Sequence, residues 1–240
     1  MGRGISTDQF SRHRLGYVRD AFEADPATDP SHGSPCLDRE SKHLWCDVCR
    51  FNRWATLWEE AEEGPKIKRP GQKIVGCVVF PLTTYSGSCI GFQVRSTKEK
   101  SYDSFSLKRR PEAYFFGTSQ AMPRIWSSGE AWVTEGPGDD LVMERLVEPN
   151  VLGLTTSSAS LDQLRFFHRF VRTVNLCLDL DGPGREGVKS MRERLGPDIT
   201  VRDFKYPKIK PKDKDPGDFW KSAGDKAFTN HFRRMKQEMA

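Results

Sequence analysis

The chain holds 240 residues with 36% hydrophobic content, enough to fold on its own around a modest core in one or two domains. No run approaches the roughly 20 uninterrupted apolar residues of a membrane helix, and Met1-Gly2-Arg3-Gly4 lacks the apolar core of a signal peptide, so a cytoplasmic protein with no membrane partner is expected. The 38 basic and 33 acidic residues leave a formal charge of +5, mild enough that its placement matters more than its sum.

In chain order, residues 1 to about 60 read as irregular and polar, with Asp25-Pro26, Asp29-Pro30 and Ser34-Pro35 discouraging long helices. Residues 52–63 carry Trp54, Leu57, Trp58 and Ala61 at helical spacing and stop at Gly64-Pro65, which predicts a short helix followed by a linker over 66–72. Two β-forming runs, 74–82 and 89–94, flank a turn containing Gly87 and predict a hairpin. Cys77, Cys89 and Cys177 sit singly in strand-like apolar runs, where a buried thiol acts as a small hydrophobe. A basic, serine-rich stretch with Lys98, Lys100, Lys108, Arg109 and Arg110 leads to Tyr114-Phe115-Phe116-Gly117.

From Glu130 onward the pattern alternates: strands over 131–134, 151–154, 174–178 and 199–204, and helices over 139–146, 161–170 and 184–195. Alternation at this interval predicts an α/β fold with a mostly parallel sheet, whose ligands bind at the carboxyl ends of the strands. A lysine-rich loop over 205–214 and an amphipathic basic segment over 228–239 follow. The two basic runs suit a polyanion, or form solvated faces of no special use.

Two acidic clusters fall at strand ends. Glu135-Gly136-Pro137-Gly138-Asp139 makes a tight turn into a helix, for which Asp139 alone would be an N-cap. In Asp179-Leu180-Asp181-Gly182 the two aspartates share one side of an extended segment, and like charges that close call for a cation between them. Gly182-Pro183-Gly184-Arg185 then opens a helix whose N-terminus and arginine suit phosphate. A third cluster runs through Asp213, Asp215 and Asp218 to Phe219.

Near the N-terminus, Cys46-Asp47-Val48-Cys49 is a knuckle preceded by Cys36. Zinc takes four such ligands in a tetrahedron, so Cys36, Cys46 and Cys49 are candidate zinc ligands. His32, which pairs with Cys36 as a second knuckle, is preferred for the fourth place over His43, which would crowd the others. A redox C-x-x-C is the rival reading, but no thioredoxin-like βαβ unit surrounds it.

A Glu followed by an Asp-x-Asp on a parallel sheet, with a further Asp cluster, resembles the TOPRIM domain of topoisomerases, primases and related nucleases over residues 129–225. In detail, Glu-Gly-x-x-Asp at 135–139, Asp-x-Asp-x-x-Gly-Arg at 179–185 and Asp-Pro-x-Asp-Phe at 215–219 resemble the bacterial DnaG-type primase version. Upstream, Phe80-Pro81-Leu82, Gly87, Ile90-Gly91-Phe92 and Arg95 are similar to that family's basic subdomain, and Tyr114-Phe115-Phe116-Gly117 to its next aromatic-glycine element. The family usually has Asp-Pro-Asp where this chain has Asp215-Pro216-Gly217, so one carboxylate is missing or its role passes to Asp218 or Asp213.

The resemblance implies a zinc-binding module with a following helix over 1–63, a basic subdomain over 64–128, a TOPRIM domain over 129–226 and a basic C-terminal helix over 227–240. It implies a DNA primase that makes short RNA primers on single-stranded DNA from ribonucleoside triphosphates by metal-dependent nucleotidyl transfer. Glu135, Asp179 and Asp181 would be the principal catalytic ligands of magnesium or manganese, with Asp139 and Asp215 in support. Arg95, Lys100, Lys108 and Arg185 would hold nucleotide or template. The compressed zinc region and a chain ending at Ala240 suggest a minimal, phage-like primase in a host cytoplasm, with a replicative helicase or other replication protein in trans. A TOPRIM-type nuclease and a non-catalytic, primase-derived zinc protein are the alternatives.

Overall fold

Helix α1 (Thr7–Arg12) owes its place to a capping box in which the Ser6 hydroxyl accepts the Gln9 amide and the Gln9 side chain returns to the Ser6 backbone. There follow β1 (Gly16–Tyr17), β2 (Leu57–Glu59), β3 (Lys66–Arg69), β4 (Cys77–Thr83), β5 (Cys89–Ser96) and β6 (Tyr102–Ser106). The second half holds α2 (Thr118–Ser128), β7 (Glu130–Thr134), α3 (Pro137–Leu146), β8 (Val151–Gly153), α4 (Leu161–Phe170), β9 (Thr173–Leu176), α5 (Gly182–Leu195), β10 (Thr200–Asp203) and α6 (Pro216–Glu238). This computed structural model describes residues 6–19, 74–98 and 115–239, together with the backbone of β2, β3 and β6. The chain forms two compact units: Met1–Arg14, Leu82–Cys89 and Arg110–Ala240 in one, Leu15–Pro81 and Ile90–Arg109 in the other.

The second unit is built on an antiparallel sheet in the order β1-β4-β5-β6, with Gly16 opposite Val79 and Arg95 opposite Tyr102. Ile74, Cys77 and Val94 bury a small core against Val18, Val79 and Phe92. The expected hairpin is β4 and β5, and Gly87 takes φ of 84° in its turn, a left-handed conformation that glycine adopts without cost. Cys89, expected to be buried, is exposed at the start of β5, whereas Cys77 and Cys177 are buried.

The helix expected over residues 52–63 does not form where the chain is described. Leu57–Glu59 is β2, antiparallel to β3, and β3 lies in the expected linker. Leu57 and Trp58 fit helical spacing, but Trp58 stands opposite Ile67 in the register, and aromatic and β-branched residues suit a pleated ladder.

The first unit is an α/β fold on a wholly parallel sheet, β10-β9-β7-β8. Period-two alternation in β7 sends Ala131 and Val133 to one face and Trp132 to the other, and all three are buried. On the Ala131 side Met122 and Ile125 of α2, Leu164 and Phe167 of α4, and Val188 and Met191 of α5 cover the sheet. On the Trp132 side Val142 and Met143 of α3 meet Phe228 and Phe232 of α6. The Arg145–Asp225 ion pair at 2.9 Å and a bond from Thr229 to the Leu146 carbonyl at 3.1 Å tie α6 to α3. The amphipathic segment 228–239 is therefore the second half of a helix that starts at Pro216 and kinks at Gly224.

Helix α1 docks on α3 in the same unit. Gln9 donates to the Leu141 carbonyl at 2.7 Å and to Glu144 Oε2 at 2.9 Å, and His13 Nε2 lies 2.9 Å from the same oxygen while its ring stacks on Phe116. Glu144 and His13 are both buried, which makes this polar cluster a specific anchor for the start of the chain.

Candidate active site

Strands β7 and β9 are parallel neighbours with Val133 opposite Leu176, so the segments that follow them leave the sheet side by side at its carboxyl edge. Glu135 leaves β7 and Asp179 leaves β9, and the Asp179 amide donates to Glu135 Oε1 at 3.0 Å. Gly184 permits this approach. A Cβ there would collide with the Asp179 carbonyl and sit 2.8 Å from Glu135 Oε1, so only glycine fits at position 184.

Asp181 does two things. Its Oδ1 caps α5 by accepting the Gly184 amide at 3.1 Å, and its Oδ2 accepts from Lys214 Nζ at 3.0 Å. The same ammonium donates to Asp179 Oδ2 at 2.9 Å, which places both aspartates on one side as their spacing requires. Arg185 turns back to the Leu180 carbonyl at 2.9 Å.

Helix α3 starts at Pro137 with Gly136 as its N-cap, so Asp139 lies in the first turn instead of capping it. Asp139 Oδ1 accepts the amide of Gly217 at 2.9 Å. Asp215 caps α6 by accepting the Asp218 amide at 2.6 Å. A Cβ at Gly217 would lie 2.9 Å from Asp139 Oδ1 and 3.3 Å from Asp215 Oδ1, so the bare backbone at 217 supplies an amide where a side chain would crowd two carboxylates. The neighbouring Asp140 points inward instead: it is buried, and burial followed by the charge of Glu144 holds its carboxyl well above the usual range.

The electrostatics of the edge follow from this crowding. Burial, then the charge of Asp179, pushes the Glu135 carboxyl up to about 7. Burial also raises Asp179, against the pull of Lys214. Burial would raise Asp181 too, but the Gly184 amide and Lys214 outweigh it and hold that carboxyl low. Hydrogen bonds to Asp179 and Asp181 raise the Lys214 ammonium.

Glu135, Asp179, Asp181, Asp139 and Asp215 thus all lie in the first unit, on the loops and first helical turns that follow β7, β9 and β10. Arg95 lies in β5 of the second unit. Lys100 and Lys108, and the candidate zinc ligands Cys36, Cys46, Cys49, His32 and His43, fall outside the described residues. Sequence reasoning missed Lys214, which stands in a run of lysines and carries no motif, although its position between Asp213 and Asp215 is a signal that could have found it. It also missed Tyr206, whose buried hydroxyl lies 2.9 Å from both the Leu178 and the Lys214 carbonyls and joins the two acidic loops.

No protein-family model and no curated protein sequence matches this chain. Solved structures do. The fold is that of bacterial primase catalytic domains. The zinc-binding and RNA polymerase domains of the Aquifex aeolicus primase match 97% of this chain and 54% of their own, with 22% identity and a TM-score of 0.65. A DNA primase domain from Pseudomonas aeruginosa matches over 97% and 69% of the two chains, with 19% identity and a TM-score of 0.68. A DnaG primase catalytic domain bound to single-stranded DNA matches over 97% and 68%, with 16% identity and a TM-score of 0.67. The chain thus spans about half the length of the first of these and about two thirds of the others.

The acidic clusters of the sequence predict a divalent metal at this edge. Among the described residues no three acidic, histidine or cysteine side chains converge on one point, and the Lys214 ammonium bridges two of the carboxylates. By chemical type the donors suit such an ion: Glu135, Asp179 and Asp181 offer hard carboxylate oxygens of the kind magnesium and manganese take, and the Lys214 ammonium shows that the two aspartates share one cation.

Proposed function

We propose that this protein is a DNA primase, which synthesises short RNA primers on single-stranded DNA by metal-dependent nucleotidyl transfer. The observation that carries the reading is the meeting of Glu135 and Asp179 at the carboxyl edge of a parallel sheet whose fold is that of primase catalytic domains.

In this reading Glu135, Asp179 and Asp181 hold magnesium or manganese, with Asp139 and Asp215 in support. When bound, the ion supplies charge neutralisation at the triphosphate and at the attacking 3′ hydroxyl. The protein's own work is positioning. The Asp179 amide fixes the rotamer of Glu135, and the α5 cap fixes Asp181, so neither carboxylate reorganises as the nucleotide arrives. Arg185, at the first turn of α5, takes the triphosphate, while Arg95, Lys100 and Lys108 hold nucleotide or template. Cys36, Cys46, Cys49 and His32 bind zinc in a module that reads the template start. A helicase or other replication protein acts in trans.

Incubation of labelled single-stranded DNA with magnesium or manganese, with and without the four ribonucleotides, tests this. Ribonucleotide-dependent RNA products support it. DNA fragments would point to a nuclease, and a mobility shift alone to a binding protein. Elemental analysis of chelator-free protein checks the zinc module, where less than about half an equivalent would count against it.

A further inference from the structure

Lys214 sits at the site for structural reasons that its side chain alone does not reveal. Its carbonyl accepts the Leu180 amide at 2.7 Å and lies 2.9 Å from the Tyr206 hydroxyl, so its backbone is tied to the segment between Asp179 and Asp181. From that anchor the ammonium reaches Asp179 Oδ2 at 2.9 Å and Asp181 Oδ2 at 3.0 Å. An exposed lysine paired with one carboxylate contributes little. Here one ammonium serves two like charges, Asp179 is only 12% exposed, and the backbone has already restricted the lysine.

We propose that Lys214 is a tethered counter-ion of the Asp179–Asp181 pair, which holds the two carboxylates ready in the metal-free protein and which a divalent ion must displace in order to bind. The proposal rests on the reading of these carboxylates as metal ligands given above. Metal loading is then an exchange of one cation for another. It costs the charge-assisted bonds of the ammonium, and the affinity of the free protein for metal is correspondingly lowered. Lys214 is in this sense a positioning residue that also sets the metal requirement, and the neighbouring Lys212, exposed on the same loop, has no such part.

Manganese binding to the full chain, followed by electron paramagnetic resonance of the free ion, tests the exchange without reference to activity. Lys214→Met removes the charge and keeps the stem, and Lys214→Gln does so with a polar end; both are expected to bind manganese at least about tenfold more tightly than wild type. Without metal, both are expected to unfold about 2–4 °C lower, since the aspartates lose their shared partner. Lys212→Met is expected to match wild type in both. Wild-type or weaker manganese affinity in both Lys214 variants would overturn the proposal while leaving the metal site intact, provided that Asp179→Ala abolishes binding. Absence of manganese binding in wild type and every variant would overturn the metal reading itself and this proposal with it.

Discussion

Asp139 accepts the amide of Gly217 at 2.9 Å, which joins the first turn of α3 to the first turn of α6 across the acidic edge. Glycine to alanine in a helix ordinarily stabilises by roughly 0.5–1 kcal/mol. At Gly217 the added Cβ would press on Asp139 Oδ1, whereas at Gly182, in the first turn of α5, nothing lies within 4 Å of it. Gly217→Ala is therefore expected to be less stable than Gly182→Ala by about 1 kcal/mol, the worth of the hydrogen bond it disturbs. Denaturant unfolding of the two variants checks this, and equal stabilisation would show that the Asp139–Gly217 contact is incidental.

The anchor of α1 gives a larger effect. Glu144 is buried against His13 and Gln9, with Arg12 at 3.3 Å, and Glu144→Ala would strand these donors. A loss of about 2–4 kcal/mol is expected. Arg165→Ala, which removes an exposed ion pair with Asp162, should stay within about 0.5 kcal/mol of wild type. Burial would raise the Glu144 carboxyl, but His13, Gln9 and Arg12 outweigh it and hold it low. Its contribution is thus present above the ordinary carboxylate range and lost as pH falls through the depressed value. Glu144→Gln should accordingly flatten the acid limb of the stability profile.

Glu135 has the opposite sign. Its carboxyl stands at about 7, against 4.5 for an ordinary glutamate, because of burial and then Asp179. Between these values the native state keeps a proton that the unfolded chain has lost, so raising pH favours unfolding. Metal-free protein is expected to lose stability from pH 5 to pH 8, and Glu135→Gln to lose less over the same range. Thermal unfolding in chelator at several pH values measures it, and identical slopes would remove Glu135 from the explanation.

Much of this edge was legible in the sequence because strand ends and carboxylates leave periodic marks. Alternating apolar runs from Glu130 onward placed β7, β8, β9, β10 and their helices within a few residues of the observed bounds, and the Asp179-x-Asp181 spacing gave the shared side. Other elements were hidden for identifiable reasons. Helix α1 is only 6 residues long and shows itself through Ser6 and Gln9, a capping box without an apolar run. Helix α2 contains Pro123, which interrupts the pattern formed by Ala121, Met122 and Ile125. Strand β6 lies in a polar stretch with no apolar alternation, and Leu57 and Trp58 fit helical spacing but pair in a ladder. Lys214 stands between Asp213 and Asp215, a local signal, but its tether depends on contacts from Leu180 and Tyr206, which no local spacing encodes.

Templated synthesis by the full chain on random-sequence single-stranded DNA, with magnesium or manganese and the four ribonucleotides, is the most direct measurement. Wild-type protein is expected to make short RNA products. The folded Glu135→Ala/Asp179→Ala double variant is expected to make at least about a hundredfold less, since it removes two residues that meet at the carboxyl edge of the sheet. Undiminished synthesis by that variant would contradict the assignment of these carboxylates to catalysis.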